Sequence, residues 1–333
     1  MKAFFTKAGA FLLAILLTVI PYAGLRAPVL DTLEDDCKLN IEIISDTHLE
    51  KKELFRQGFL KTGLKNLKKT KSPIDAVVIP GDLTNYADEE SLARFYEILK
   101  NDSPVPCIVS AGNHDIGHAG DRNVTDISRE EALANVIRYW NEYSGMETEA
   151  NYFTTEINGY KFIVIGDEVI DGGHWDAISM TPEQLEFLDR ELAESASETA
   201  PTFVVSHWPL DHINGEDQIW DGSGIEREEY DIQSIMEKYP NVVYISGHMH
   251  AGFRSKLFEK VFGYANAEKV NGVIYLSLPT YGIVNWFGHP QSGTGAQLEV
   301  YSDKLIFRPR NFITGTWYKN CEYTFEFGGS DAA

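Results

Sequence analysis

Seven residues of the types that bind metal ions in proteins stand at the ends of five apolar runs of the sequence. Their side chains offer oxygen and nitrogen ligands without thiolate, a set that suits zinc, iron or manganese better than calcium or magnesium. Seven ligands are too many for one such ion, so the set predicts two divalent ions that share a bridging carboxylate. The seven residues are Asp46, His48, Asp82, Asn113, His207, His248 and His250.

The stretch Gly247-His248-Met249-His250 follows the apolar run 242–246, which has the pattern of a buried strand ending at a loop. In an extended backbone, alternate side chains point in the same direction. If the backbone here stays extended, we therefore expect His248 and His250 to face one site while Met249 turns away from it.

The other ligand groups also follow short apolar runs, and stretches of helical pattern lie between these runs. Helices are expected near 52–69, around Leu92 to Leu99, and near 128–143 and 227–238. This alternation indicates βαβ units around a largely parallel, buried sheet. Ligands at the carboxyl ends of such strands converge on one crevice. The strands expected before the ligands are 40–44, 76–79, 107–109, 202–205 and 242–246.

Two further signals concern the second half of the chain. Asn158-Gly159 supplies the positive φ angles of a tight hairpin turn, and Thr181-Pro182 has the form of a helix start. The C-terminal third turns to strands, with a hairpin predicted at residues 302–304. No internal repeat is visible, and no domain boundary follows residue 40.

The composition is that of a globular protein without a nucleic-acid-binding surface. The 333 residues are 43% hydrophobic, which suits one large domain or two small ones. The formal net charge is −21 and no stripe of lysine and arginine offsets it, so binding to a nucleic-acid polymer is not expected. Cys107 is predicted to lie in the core, whereas Cys37 and Cys321 could pair outside the cytoplasm.

Residues 1–26 have the form of an export signal. Two lysines precede an apolar run over 8–20, which Pro21 ends. Extended by a few residues, the run approaches the roughly 18–20 residues that span a bilayer, so a cleaved signal peptide and an uncleaved anchor both stay open. We expect an exported protein, secreted or held on the outer face of the cytoplasmic membrane by its N-terminus, with a linker over 27–38.

The motifs Asp-x-His, Gly-Asp, Gly-Asn-His-Asp, a single His and Gly-His-x-His appear in this order between residues 46 and 250. The complete series resembles the calcineurin-like metallophosphoesterase family, and five motifs in order make the match specific. The resemblance implies an α/β fold over residues 39–327, a four-layer sandwich of two mixed β-sheets flanked by helices. It also implies two metal sites: Asp46, His48 and His250 would hold the first ion, Asn113, His207 and His248 the second, and Asp82 would bridge both.

His114 and Asn85 are the expected catalytic residues outside the ligand set. From its place beside Asn113, His114 would stabilise the charged transition state and protonate the leaving oxygen. Protein phosphatases of the family carry aspartate at the place of Asn85, and we expect the Asn85 amide oxygen to accept a hydrogen bond from His114. Purple acid phosphatases have a tyrosine there and lack the histidine that is His48 here. The set looks most like the branch with class III cyclic-nucleotide phosphodiesterases and related exported phosphoesterases.

The chemistry expected of two ions is hydrolysis of a phosphate ester. The ions would convert a bridging water to hydroxide and polarise the phosphoryl oxygens. They would also attract an anionic ester despite the net charge of −21, since distant charges are screened beyond about 8–10 Å. We expect a phosphodiesterase for a small-molecule ester. Two alternative functions stay open: a phosphomonoesterase or pyrophosphatase with the same metal core, and a non-catalytic metal-dependent binding module of the envelope. The choice among Mn, Fe and Zn also stays open.

Substrate recognition is expected in four loops. These loops are 116–126, 171–180, 208–225 and 280–292. Tryptophans in them could line a substrate rim or pack locally, and sequence does not decide between the two. They are Trp175, Trp208, Trp220 and Trp286.

Overall fold

The computed structural model describes residues 33–116, 127–170, 178–215, 229–286 and 288–327. The export segment expected at 1–26, most of the linker and much of the first three recognition loops lie outside these residues. In the described ranges, no helix is both long and apolar enough to cross a membrane. The pairing left open for Cys37 and Cys321 is not formed, because both are free thiols.

The first sheet has seven strands within the described residues, and three parallel strands form one side of it. The strands are β1 (Leu39–Ile43), β2 (Ala76–Pro80), β3 (Cys107–Ser110), β10 (Thr294–Val300), β11 (Lys304–Asn311), β12 (Thr316–Trp317) and β13 (Tyr323–Glu326). β1 and β3 both pair in parallel with β2. On the other side of β1, β10 pairs antiparallel, and β11 then pairs with β10, β12 and β13.

The second sheet has six strands in the described part of the chain. They are β4 (Phe153–Ile157), β5 (Tyr160–Val164), β6 (Thr202–Val205), β7 (Val242–Ser246), β8 (Ala267–Val270) and β9 (Val273–Ser277). β5, β6, β7 and β9 are parallel neighbours, and β4 and β8 close the two edges in antiparallel pairing. The β4–β5 hairpin turns at Asn158 and Gly159, both at positive φ, as predicted.

Seven α-helices connect the strands within the described residues. They are α1 (Leu54–Leu67), α2 (Glu89–Asp102), α3 (Asn113–Ile116), α4 (Arg129–Ser144), α5 (Pro182–Ser195), α6 (Glu229–Met236) and α7 (Lys256–Phe262). Several begin at a side chain that accepts from a main-chain N–H of the first turn, which satisfies a donor that the helix leaves free. Thr181 caps α5 in this way and Asp88 caps α2.

The two mixed sheets with flanking helices confirm the fold that the resemblance implies. The expectation of a largely parallel sheet is right for the strands that precede the ligands, because these short strands are buried along their whole length. The C-terminal strands pair antiparallel, and β10 and β11 form the hairpin predicted at residues 302–304.

Main-chain pairing joins the two sheets at the carboxyl ends of their parallel strands. Ser45, just past β1, forms a bridge with Thr280, which follows β9. Buried side chains of both sheets belong to one contiguous hydrophobic core. The strand ends of the two sheets are therefore fixed relative to each other, and the ligand residues lie at this junction.

Candidate metal centre

Each ligand group leaves the carboxyl end of a parallel strand, as the sequence predicts. Asp46 and His48 follow β1, and Asp82 follows β2. Asn113 begins α3, which two residues separate from the end of β3. His207 follows β6, and His248 and His250 follow β7. The first sheet thus supplies four of the seven residues and the second supplies three, so the site exists only where the sheets meet.

The first group of polar atoms contains Asp46, His48, Asp82 and His250, whose ligand atoms all lie within 4.8 Å of one another. His250 Nε2 is 2.9 Å from His48 Nε2 and 3.1 Å from Asp46 Oδ1. His48 Nε2 is 3.5 Å from Asp82 Oδ2. Ligands about 2.1 Å from one ion lie roughly 3 Å apart, so the spacing suits a cation at the centre.

The second group contains Asn113, His207 and His248. The Asn113 amide oxygen is 3.1 Å from His207 Nε2 and 3.2 Å from His248 Nδ1, and the two ring nitrogens are 3.2 Å apart. All three side chains are buried. Three atoms with lone pairs therefore share one small space.

Asp82 lies between the two groups and presents one carboxylate oxygen to each. Its Oδ2 is the atom nearest His48, and its Oδ1 is 3.4 Å from His207 Nε2. The side chain is 1% exposed. This is the position that the resemblance implies for the bridging ligand.

The state of the His207 ring shows that a cation fits the second group. Its Nδ1 is 2.9 Å from the main-chain carbonyl of Pro80, which can only accept, so Nδ1 carries a proton. Burial lowers the pKa of His207, but attraction to Asp82 outweighs it and raises the pKa to about 9. Without metal, a proton on Nε2 satisfies the acceptors around it. A divalent ion would replace that proton, and the carbonyl of Pro80 would orient the ring for it.

The pKa values of two other buried imidazoles shift in the opposite direction to that of His207. Desolvation holds the pKa of His48 and of His248 well below the ordinary value. The pKa of Asp82 also lies well below its usual range, because the attraction of His207 outweighs the effect of burial. Neutral imidazoles and an ionised carboxylate are the protonation states that bind divalent ions.

Five of the seven residues have left-handed backbone conformations. The φ angles are 54° at Asp46, 43° at His48, 49° at Asp82, 71° at His248 and 48° at His250. Non-glycine residues adopt such angles rarely, and they concentrate at functional sites. His248 lies beside Asn113 and His250 beside Asp46, but the extended backbone on which their shared direction was made conditional is absent, because both residues are left-handed. Met249 is fully buried beside Ala251 and Tyr264.

The glycines of the motifs are required because no space is left for a Cβ atom. A Cβ on Gly81 would lie 2.5 Å from His207 Nδ1. One on Gly112 would overlap the Asp82 carboxylate, and one on Gly247 would overlap the Ser45 hydroxyl and the Asp46 carboxylate. The main chain of each motif thus approaches the ligand of a neighbouring motif more closely than any other residue type permits.

His114 contacts Asn85, but through a different atom from the one expected. The His114 Nδ1–H donates to the main-chain carbonyl of Asn85 at 2.9 Å, whereas the Asn85 amide nitrogen donates to Glu50 at 2.8 Å. The prediction that the amide oxygen accepts is wrong in this detail. The carbonyl is nearer because the chain turns back after Asp82, and Asn85 N–H donates to Leu49 in the neighbouring loop.

Asp115 is a positioning residue that sequence reasoning missed. Its carboxylate accepts from the N–H groups of Leu83, Thr84 and Gly112 and from the Thr84 hydroxyl, at 2.8 to 3.0 Å. It thereby joins the loop after Asp82 to the loop before Asn113. The signal that could have identified Asp115 is its place as the acidic residue at the end of the motif Gly-Asn-His-Asp.

Two of the tryptophans considered for a substrate rim, Trp208 and Trp286, lie in the described residues. Their exposure to solvent differs. Trp208 is fully buried and packs edge-on against His207. Trp286 is 64% exposed, and its main-chain N–H donates to the His250 carbonyl at 3.0 Å. Local packing is therefore confirmed for Trp208, and a place at the substrate rim stays a prediction for Trp286. Trp175 and Trp220 lie outside the described residues.

The fold is similar to that of several solved structures. The purple acid phosphatase PPD1 from yellow lupin (Lupinus luteus) seeds has a TM-score of 0.54 and 15% identity, covering 91% of this chain and 55% of that one. GAP50, described as the anchor in the inner membrane complex of Plasmodium, has a TM-score of 0.51 and 14% identity, covering 87% and 89%. This chain thus spans about half the length of the lupin protein. At these identities the likeness shows the fold. No curated protein matches the sequence.

The profile of one family, calcineurin-like phosphoesterase, matches residues 39–252. That segment is more than half of the chain and contains all seven ligand candidates, His114 and Asp115. The chain belongs to the calcineurin-like phosphoesterase family.

Gly247→Ala is expected to weaken metal binding about 10–100-fold, because the new Cβ displaces Asp46 and the His248 main chain that donates to it. Calorimetric titration of the metal-free protein with Mn²⁺ measures the change. Gly58→Ala in α1 is the matched control, since a Cβ there meets nothing within 4 Å. The control should bind Mn²⁺ like the wild type and gain up to about 1 kcal/mol of stability. Equal affinities for wild type and Gly247→Ala would contradict this account.

Proposed function

We propose that this chain hydrolyses small-molecule phosphodiesters with two divalent ions, Mn, Fe or Zn, held by the seven ligand candidates. The ions would supply an acidified water as nucleophile and neutralise charge on the phosphoryl oxygens. Asp46, His48 and His250 would hold one ion, Asn113, His207 and His248 the other, and Asp82 both. The distances between these atoms support this division, since Asp82 faces one group with each oxygen.

The position of His114 is the observation that carries the proposal. Its Nδ1–H is engaged by the Asn85 carbonyl, so the ring is held in one orientation with Nε2 4.0 Å from Asp82 Oδ2. The side chain is 22% exposed and therefore open to an incoming ester, unlike the buried ligands beside it. A proton on Nε2 can pass to the leaving oxygen of an ester bound over Asp82.

The charges at the mouth favour a monoanionic diester over a dianionic or polyphosphate ester. The Arg56 guanidinium donates to the His48 carbonyl at 2.6 Å and is the cation built into this edge. The carboxylates of Glu50 at 3.0 Å and Glu53 at 3.8 Å outnumber this one positive charge. A second phosphate would meet this acidic pair, whereas a diester presents one negative charge to the ions alone.

Loaded with Mn²⁺ or Zn²⁺, residues 33–333 should hydrolyse bis-p-nitrophenyl phosphate faster than p-nitrophenyl phosphate. His114→Ala should lower kcat about 10²–10⁴-fold, the usual contribution of general acid catalysis, and Asp82→Ala should abolish turnover. Gly58→Ala serves as the control that leaves both rates unchanged. Faster monoester turnover would replace the proposal with a phosphomonoesterase. Bound metal without any turnover would replace it with a binding module.

Asn85→Ala is expected to leave kcat and the pH profile of kcat/KM within a factor of about three of wild type, because alanine keeps the carbonyl that accepts from His114. His114→Asn, measured in parallel, should lose the limb of the profile that reports the general acid. A loss in Asn85→Ala as large as that in His114→Asn would restore the role first expected for the amide.

A further inference from the structure

The two groups of ligand candidates differ in how their imidazoles are held. In the second group, His207 donates its Nδ1–H to the Pro80 carbonyl, which fixes the ring. In the first group, His48 presents Nε2 to the other ligands, 2.9 Å from His250 Nε2 and 3.5 Å from Asp82 Oδ2. Its Nδ1 is buried and has no hydrogen-bond partner among the described residues. A metal-binding imidazole is usually oriented by an acceptor on its second nitrogen, so the His48 ring must be held in another way.

The main chain of His48 is held from both sides. Its N–H donates to the main-chain carbonyl of Asp82 at 2.9 Å, and its carbonyl accepts from Arg56 Nη1 at 2.6 Å. Between these two bonds, His48 has a φ of 43°, which non-glycine residues keep only where their surroundings require it. Because φ sets the direction in which the Cβ leaves the main chain, the direction of the ring depends on these two contacts.

The Arg56 side chain is itself fixed at the start of α1. Its main-chain N–H donates at 2.7 Å to Glu53, the residue that caps the helix. Its Nη1 also donates to Glu50 Oε1 at 3.0 Å, and its Nε is 3.8 Å from the Glu53 carboxylate. A planar guanidinium with partners on two sides has little freedom to turn toward a ligand. The geometry therefore favours a role in holding His48 over direct binding of an anionic substrate.

The next residue of α1 fastens the loop that connects His48 to the helix. Gln57 is 5% exposed, and its Nε2 donates to two main-chain carbonyls of this loop at 3.0 and 2.7 Å. Its Oε1 accepts from Arg94 Nε of α2 at 3.0 Å. The first turn of α1 is thus tied to the loop and to a second helix, so Arg56 reaches the His48 carbonyl from a fixed position.

We propose that Arg56 is a positioning residue of the metal centre: its hydrogen bond to the His48 carbonyl sets the direction of the His48 ring, as the Pro80 carbonyl does for His207. This rests on the metal-binding part of the proposed function. Within the described residues, the side-chain hydrogen bonds of Arg56 go to His48 and Glu50. The affinity of the first group for its ion therefore depends on Arg56, and that of the second group does not.

Calorimetric titration of metal-free variants with Mn²⁺ tests each group separately. Asn113→Ala removes a ligand of the second group, and His250→Ala removes a ligand of the first. Arg56→Met is then added to each variant, because methionine keeps an apolar stem and lacks the donors of arginine. In the Asn113→Ala background we expect Arg56→Met to weaken Mn²⁺ binding about 10–100-fold, and in the His250→Ala background to change it less than about threefold.

Arg190→Met is the matched control. The Arg190 guanidinium is 57% exposed and pairs with Glu191 at 3.1 Å on α5. In either background this variant should leave Mn²⁺ affinity within about threefold of its parent. Melting curves by circular dichroism establish that each metal-free variant is folded before titration. A general loss of packing would weaken both groups alike, so selective loss in the first group separates positioning from stability.

Electron paramagnetic resonance gives a second readout in the otherwise unchanged chain. With two equivalents of Mn²⁺, wild type should show the signal of a spin-coupled pair of ions. At the same loading, Arg56→Met should show a weaker coupled signal and a stronger signal from single ions, whereas Arg190→Met should match wild type. If either background variant fails to fold, this comparison decides alone, and an unchanged coupled signal in Arg56→Met overturns the inference.

Equal weakening in both backgrounds, or no weakening in the Asn113→Ala background, would overturn the inference while the proposed function stands. If wild type binds neither Mn²⁺ nor Zn²⁺, the metal-binding part of the proposed function fails, and the inference fails with it. Metal binding without hydrolysis of any diester would remove the proposed activity and leave the role of Arg56 intact.

Discussion

The Asp82 carboxylate is the interaction on which the rest of the site depends. It is buried between two groups of ligands, and each of its oxygens faces one group, 3.5 Å from His48 and 3.4 Å from His207. Asp82 belongs to the first sheet and His207 to the second, so the carboxylate is useful only if the two sheets are held in register at their strand ends. The bridge between Ser45 and Thr280 and the His207 Nδ1–H that donates to the Pro80 carbonyl provide this register.

The same requirement explains the strained backbone around Asp82. Left-handed conformations at non-glycine residues cost about 1–3 kcal/mol each, and five ligand candidates adopt them. Hydrogen bonds across the loops offset part of this cost: Asp115 accepts four of them, and the His248 N–H donates to Asp46 at 3.2 Å. Ligand attraction to two cations would offset the remainder. A preformed cage of this kind would gain stability on binding metal.

Much of this could be predicted from sequence because the signals are local. A buried strand followed by aspartate or histidine places that side chain at a strand end, and the order of five motifs identifies the family and its fold. What sequence could not give depends on contacts between distant segments. Sequence does not show whether His114 donates to the main-chain carbonyl of Asn85 or to its side-chain amide, because both groups belong to the same residue. The turn of the chain after Asp82 brings the carbonyl to His114. Trp208 and Trp286 have similar sequence settings, yet one packs against His207 and the other stays in water.

The central claim is that two ions lie on either side of Asp82. Crystals of the chain grown with Mn²⁺ and measured near the manganese absorption edge would test it most directly. The account predicts two anomalous peaks about 3.5–4 Å apart, one against Asp46, His48 and His250 and one against Asn113, His207 and His248, with the Asp82 carboxylate between them. A single peak, or peaks that Asp82 does not touch, would contradict it.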